Sequence, residues 1–308
     1  MCAACKDLTP TLSKGEGADA AMMKEAERIA KLIHAGKFKG HIDKKLTKLV
    51  SEKLLKAVKE GFGKDLSQVD YDSPDYNMLQ SLEKNVYQFS AAKNYQQIKS
   101  MSLALKDADG KIRAFTDFRN EAMKVAEIYL GNYLQIEYDT AVASSQMAAK
   151  WVQFEKDKDA VEMLRYVTAG DRRVRPAHKL LDGVTREVDD KFWDYYFPPN
   201  GWNCRCDVIQ AVGGRRTEKI ETPGDDDVPQ IFRTNMAKEG LVFPKDHPYF
   251  IGIPPEILKQ ADVLLPPAYR WKTPEILHNL ASLKINEMLN KNAPDYESQK
   301  NPPHDKAN

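Results

Sequence analysis

Thr168-Ala169-Gly170-Asp171-Arg172-Arg173-Val174-Arg175-Pro176-Ala177-His178 opens a stretch that closes on Pro198-Pro199-Asn200-Gly201-Trp202-Asn203-Cys204-Arg205-Cys206, with Gly183 and the pair Phe192-Trp193 between. Two of the chain's four cysteines, two of its four tryptophans and one of its six histidines fall inside this segment. An ordinary apolar core has no need of that mixture. The stretch is framed by two strand patterns. Glu162 to Thr168 alternates and ends in a β-rich run, and Arg205 to Val212 is a second candidate stopped by Gly213-Gly214. Phe192, Trp193 and Trp202 are large anchors, and Pro198-Pro199-Asn200-Gly201 is a rigid turn that aims Trp202 and the Cys-Arg-Cys run. The segment therefore reads as the small core of a loop-rich mixed domain.

Upstream, the spacing changes to that of helices. Met22, Met23, Ala26, Ile29, Ala30 and Ile33 recur at helical intervals between Ala18 and Ala35. A second stripe, Leu46, Leu49, Val50, Leu54, Ala57 and Val58, follows Asp43 as N-cap and stops at Gly61-Phe62-Gly63. Ser73-Pro74-Asp75 starts a third helix with Leu79, Leu82, Val86 and Phe89 on its buried face. Asp107-Ala108-Asp109-Gly110 is a turn, because the later ligands of a calcium loop are missing. A long helix is expected over Thr116–Lys150; its later part, Leu134 to Ala141, carries polar groups beside aromatics and reads as an exposed face flanking the core stripe, with a functional face as the alternative. A last helix is expected over Pro274–Leu289.

The chain is thus read as α+β: a mainly helical N-terminal arm followed by a small loop-rich mixed α/β domain. The expected organisation is a flexible N-terminus over 1–17, a helical domain over 18–155 and the mixed domain over 156–250. A C-terminal extension with a helix over 251–290 and a disordered tail over 291–308 follow.

A hydrophobic content of 42% against 30% charged residues allows a real core and a soluble surface. The net charge of +1 gives no global basic field for nucleic acid. Local groups such as Arg172, Arg173, Arg215 and Arg216 leave room for salt-sensitive DNA contact. No stretch approaches the ~20 apolar residues that span a bilayer, and Met1 to Asp7 lacks the apolar run of a secretion signal. A cytoplasmic protein without a membrane role is expected. Cysteines in two close pairs, Cys2/Cys5 and Cys204/Cys206, do not make a disulfide framework.

Two clusters in the central stretch carry chemistry. Asp171, Arg173, Arg175 and His178 form either an ion-pair knot, with Arg175 gripping Asp171, or a catalytic Asp171/Arg175/His178 set. No serine lies between Gln146 and the expected last helix, so no Ser-His-Asp triad can be built within this region. His178, Cys204 and Cys206 offer three zinc-type ligands, with Asp207 or Asp171 as a fourth. Cys2 and Cys5 could instead complete an all-cysteine site. If residues 204 to 206 are a strand, both sulfurs point the same way. The alternative is two buried thiols packed beneath Trp202.

Thr168, Asp171, Arg175, His178, Gly183, Phe192, Trp193, Pro198, Pro199, Gly201, Trp202, Cys204, Arg205 and Cys206 together resemble the signature of the phage head morphogenesis family, phage Mu protein F-like and SPP1 minor head protein-like. The helix ending at Ala141 and the motifs Phe232-Arg233-Thr234-Asn235 and His247-Pro248-Tyr249 are similar to segments flanking that signature. The resemblance covers about residues 110 to 250. It implies a non-enzymatic minor capsid protein of a tailed phage or prophage, made in the host cytoplasm and placed in the virion, at the capsid interior or portal vertex. The implied partners are the portal protein, capsid or scaffold proteins and phage DNA, with a role in head assembly or DNA delivery. Some members are fused to toxin domains. The alternative is therefore an enzyme or toxin-like module acting on nucleotide or nucleic acid through Asp171, Arg175 and His178. Toxin-bearing members carry a long additional C-terminal domain, whereas only a short stretch follows His247 here.

Overall fold

The first three helices begin where a capping side chain can take their free backbone donors. Asp19 Oδ1 accepts from the Ala21 amide at the head of α1 (Ala20–His34). Asp43 Oδ1 accepts from the Leu46 amide at 3.0 Å to start α2 (Lys44–Phe62), and Ser73 Oγ accepts from Tyr76 to start α3 (Pro74–Leu103). Gly63 ends α2 in the left-handed region, φ 79°, where a side chain would be strained. These boundaries follow the sequence reading. The computed structural model describes residues 19–224 and 227–264. The expected helix at Pro274–Leu289, both termini, and Cys2 and Cys5 lie outside the described residues.

The expected long helix is a rod in three pieces. α4 (Phe115–Glu127) passes through a π-helical stretch, Ile128–Tyr133, into α5 (Leu134–Asp157). The rod runs on past Lys150, so Trp151 and Phe154 reach the second half of the fold. The Glu137–Ala141 segment is not the exposed face that was expected. Glu137, Thr140 and Ala141 are buried, because Lys93 of α3 lies opposite and pairs with Glu137 at 2.7 Å.

α2 meets α5 closely at Gly61. A Cβ on Gly61 would stand 2.1 Å from the Val142 carbonyl oxygen, so only glycine permits this approach.

After the rod comes a three-stranded antiparallel sheet in the order β2-β1-β3, with β1 (Met163–Val167), β2 (Thr185–Glu187) and β3 (Asp207–Gln210). Tyr166 pairs with Val208 across β1 and β3, and both side chains point into the core. Between β1 and β2 lies α6 (Pro176–Leu181), and between β2 and β3 lies α7 (Phe192–Tyr196). β3 begins later than the sequence reading put it. Cys204, Arg205 and Cys206 lie ahead of the strand, outside its ladder.

One hydrophobic cluster runs from Met22 through Tyr249, so the helical part and the mixed part share a core. Trp151 and Phe154 of α5 meet Phe197 edge-to-face, and Trp193 meets the same ring. The segment after β3 folds back over α3. Phe243 stacks on Phe89 with ring centres 3.7 Å apart. Asn85 holds the same segment by its backbone: Oδ1 accepts from the Val242 and Phe243 amides, and Nδ2 donates to the Phe243 carbonyl. Finally α8 (Pro255–Leu264) lays Ile257 and Ala261 against Ala91 of α3 and Ile42.

Candidate functional site

α6 is short, and its first residue, Pro176, has φ fixed for a helix start. That places His178 on its inner side, 2% exposed. The Cys-Arg-Cys loop approaches from the other direction. It follows a cis Pro198-Pro199 bond and a left-handed Asn203, φ 55°. Alternate side chains of this loop go to opposite sides. Cys204 and Cys206 therefore both face His178, and Arg205 faces away toward Asp171.

The sulfurs of Cys204 and Cys206 lie 3.7 Å and 3.4 Å from His178 Nδ1. One donor atom from each of the three residues falls within 4.8 Å of the others. Cys204 is buried and Cys206 half-buried, and neither is in a disulfide. The two thiols interact strongly. A hydrogen bond from Cys206, with His178 adding to it, brings the Cys204 thiol down to about 4, while the neighbouring Cys204 and burial push Cys206 up. Tyr166 closes the inner wall. Its hydroxyl donates to Asn200 Oδ1 at 2.9 Å and lies against the Cys206 sulfur, and burial pushes its phenol well up. Neither Tyr166 nor Asn200 was picked out from sequence. Their only signals were a tyrosine in a strand pattern and an asparagine in a turn.

The expected Asp171–Arg175 pair does not form. Asp171 is gripped by Arg205 from the far end of the motif, at 2.7 Å and 2.8 Å, and more loosely by Arg173 at 3.4 Å. The Arg205 guanidinium holds the Asp171 carboxyl well below the usual carboxylate range. Arg175 instead donates to the Trp202 carbonyl at 2.6 Å, its guanidinium passing beside Gly201. Asp171, Arg175 and His178 thus have three different sets of partners. Asp207, the other candidate fourth ligand, is taken by Lys150 of α5 at 2.6 Å. Trp202 does not lie over the thiols as a lid. It packs edge-on against Phe232 and His247.

Three other signature residues make local contacts or turns. Gly183 has φ 78° in the tight connection from α6 into β2. The Thr168 amide donates to Asp182 Oδ1 at 2.7 Å. Trp193 Nε1 donates to the Glu187 carbonyl. Of the basic groups singled out for DNA contact, Arg216 pairs with Glu187 and Asp190, and Arg173 leans on Asp171. Among the described residues, no helix is long and apolar enough to cross a membrane.

The sequence matches the family model described as "Phage Mu protein F like protein" over residues 26–209. It is similar to the "Putative capsid assembly protein F" of Escherichia phage Mu, 29% identical over 128 residues, which cover 36% of this chain and 29% of that protein. It is also similar to the "Mu-like prophage FluMu F protein" of Haemophilus influenzae, 39% identical over 61 residues, 20% of this chain and 15% of that protein. The chain therefore spans less than a third of the length of these curated relatives. No solved structure matches. The matched residues run from within α1 into β3 and take in His178, Cys204, Arg205 and Cys206, and on that match the chain belongs to the phage Mu protein F-like family.

Proposed function

We propose that this protein is a head morphogenesis component of a tailed phage or prophage. In this reading it is a minor capsid protein that binds the portal or the procapsid interior and serves head assembly or DNA delivery. The observation that carries it is the extent of the family match, which takes in both the helical rod and the mixed domain that share one core. The printed name of the phage Mu relative, a putative capsid assembly protein, supports the same reading. Its partners are the portal and capsid or scaffold proteins, with phage DNA as a further contact. Its places are the host cytoplasm during assembly and then the virion.

The role is non-enzymatic. Asp171 and Arg175 are spent on contacts that hold the Cys-Arg-Cys loop, and His178 is buried against two sulfurs. A pull-down of the full chain against the portal protein of the same genome tests this reading. Retention of the portal is expected. Failure to bind portal or procapsids at any salt concentration would overturn it.

A further inference from the structure

His178 is a buried imidazole whose hydrogen-bond contacts, among the described residues, are with two sulfurs. Nδ1 meets Cys204 and Cys206, and Nε2 has no hydrogen-bond partner. Buried polar groups normally find good partners, and thiols are weak ones. A metal ion would supply the missing interaction, and the geometry fits one. With Zn–S near 2.3 Å and Zn–N near 2.0–2.1 Å, a tetrahedral ion holds its nitrogen and sulfur ligands about 3.6 Å apart. The observed separations are 3.4 Å and 3.7 Å.

Charge points the same way. Two thiolates and one Zn²⁺ sum to zero, the balance that a buried site tolerates. Softness of the donors favours zinc over calcium or magnesium. A fourth position is open. A cavity of about 20 Å³ bounded by Val174, Arg175, His178, Cys204 and Cys206 has room for one water. The carboxylates of Asp171 and Asp207 are held elsewhere. Cys204 and Cys206 also line a groove against Val142 and Met147 of α5, which gives an ion a way in.

We propose that His178 Nδ1, Cys204 Sγ and Cys206 Sγ bind one zinc ion with a water as fourth ligand, locking α6 to the loop ahead of β3. The motif's other contacts serve this lock. Arg175 on the Trp202 carbonyl holds the approach to the Cys-Arg-Cys loop, and Arg205 on Asp171 holds its middle, so that its sulfurs converge. Cys2 and Cys5 are not part of the proposed ligand set.

The test is metal analysis of the full chain purified without chelator, with Co²⁺ substitution as the spectroscopic probe. One zinc per chain is expected. Co²⁺ should give the visible bands of a tetrahedral ion and thiolate charge-transfer absorption in the near ultraviolet. Cys206→Ser and His178→Gln should lose the zinc, and a Cys2→Ser/Cys5→Ser double variant should keep it. Because Cys206→Ser and His178→Gln can also fail to fold, alkylation of wild-type protein is read by mass spectrometry with and without chelator. Chelator should expose Cys204 and Cys206 to labelling and leave the labelling of Cys2 and Cys5 unchanged. Folded protein that takes up neither Zn²⁺ nor Co²⁺, or labelling that chelator does not change, overturns the proposal. So does a mass showing Cys204 and Cys206 joined as a disulfide, or loss of zinc in the Cys2/Cys5 variant alone.

Discussion

Arg205 grips Asp171 with two parallel contacts, Nη1 to Oδ2 at 2.8 Å and Nη2 to Oδ1 at 2.7 Å, across 34 residues of chain. The fork needs a planar guanidinium, which lysine lacks. Arg205→Lys should therefore loosen the loop over residues 168–174 while the helices stay as they are. Hydrogen exchange would show faster amide turnover in that loop. An unchanged exchange pattern would mean that the fork holds nothing in place. The sign with pH is fixed. The carboxyl is depressed in the folded state, so its contribution is present above the ordinary aspartate value and fades as pH falls below it.

Lys93 and Glu137 are a buried ion pair at 2.7 Å, their side chains 1% and 4% exposed. Burial pushes Glu137 up while Lys93 pulls it down. Removing one member strands the other charge away from water, at a cost of about 3–5 kcal/mol. Lys93→Met and Glu137→Leu should each be strongly destabilising in urea unfolding, and the double variant should be less so than the sum. Strict additivity would show that the two charges are not coupled.

Gly61 sets two effects against each other. Helix propensity favours Gly61→Ala by about 1 kcal/mol. Contact with the Val142 carbonyl, 2.1 Å from the new Cβ, opposes it with an overpacking cost of about 1–3 kcal/mol or more. The obstacle is backbone and cannot rotate aside, so the second effect should win. Gly61→Ala is expected to lower the unfolding midpoint. A raised midpoint would mean that α2 and α5 sit further apart than described.

His247 is buried, and burial brings its imidazole down to about 3. The unfolded chain takes up a proton near pH 6.5 and the folded chain only near pH 3. The neutral ring's contribution is therefore full above about pH 6.5 and is lost progressively as pH falls toward 3, by up to about 1.4 kcal/mol per pH unit. His247→Asn should lower stability at neutral pH but flatten this slope. The gap between wild type and variant should narrow from about pH 7 to pH 4. A constant gap would place the acid sensitivity elsewhere.

What the sequence made legible follows from distance along the chain. Asp43 and Ser73 cap their helices as read, because a cap reaches only two or three residues. β1 was visible in its alternation. The three residues of β2 were not, since so short a strand has no pattern of its own. The π-helical stretch at Ile128–Tyr133 was hidden because the apolar stripe carries straight through it. That Cys204 and Cys206 face the same way could be read from their spacing of two, whereas His178 was grouped with them by ligand type alone. The partner of Asp171 was not. Arg175 is nearer in sequence, but only the fold decides which of two arginines arrives with its fork aligned. Lys93 and Glu137 were unreadable as a pair, because a charged residue beside an apolar stripe looks solvated until the opposing helix is known.

The central claim is that this chain acts in building a phage head. It is tested most directly by mass spectrometry of procapsids and mature particles purified after induction of the genome that encodes it. The account predicts peptides of this protein in the particles at low copy relative to the major capsid protein, together with defective heads when its gene is deleted. Absence from both particle types, with normal heads in the deletion strain, would contradict it.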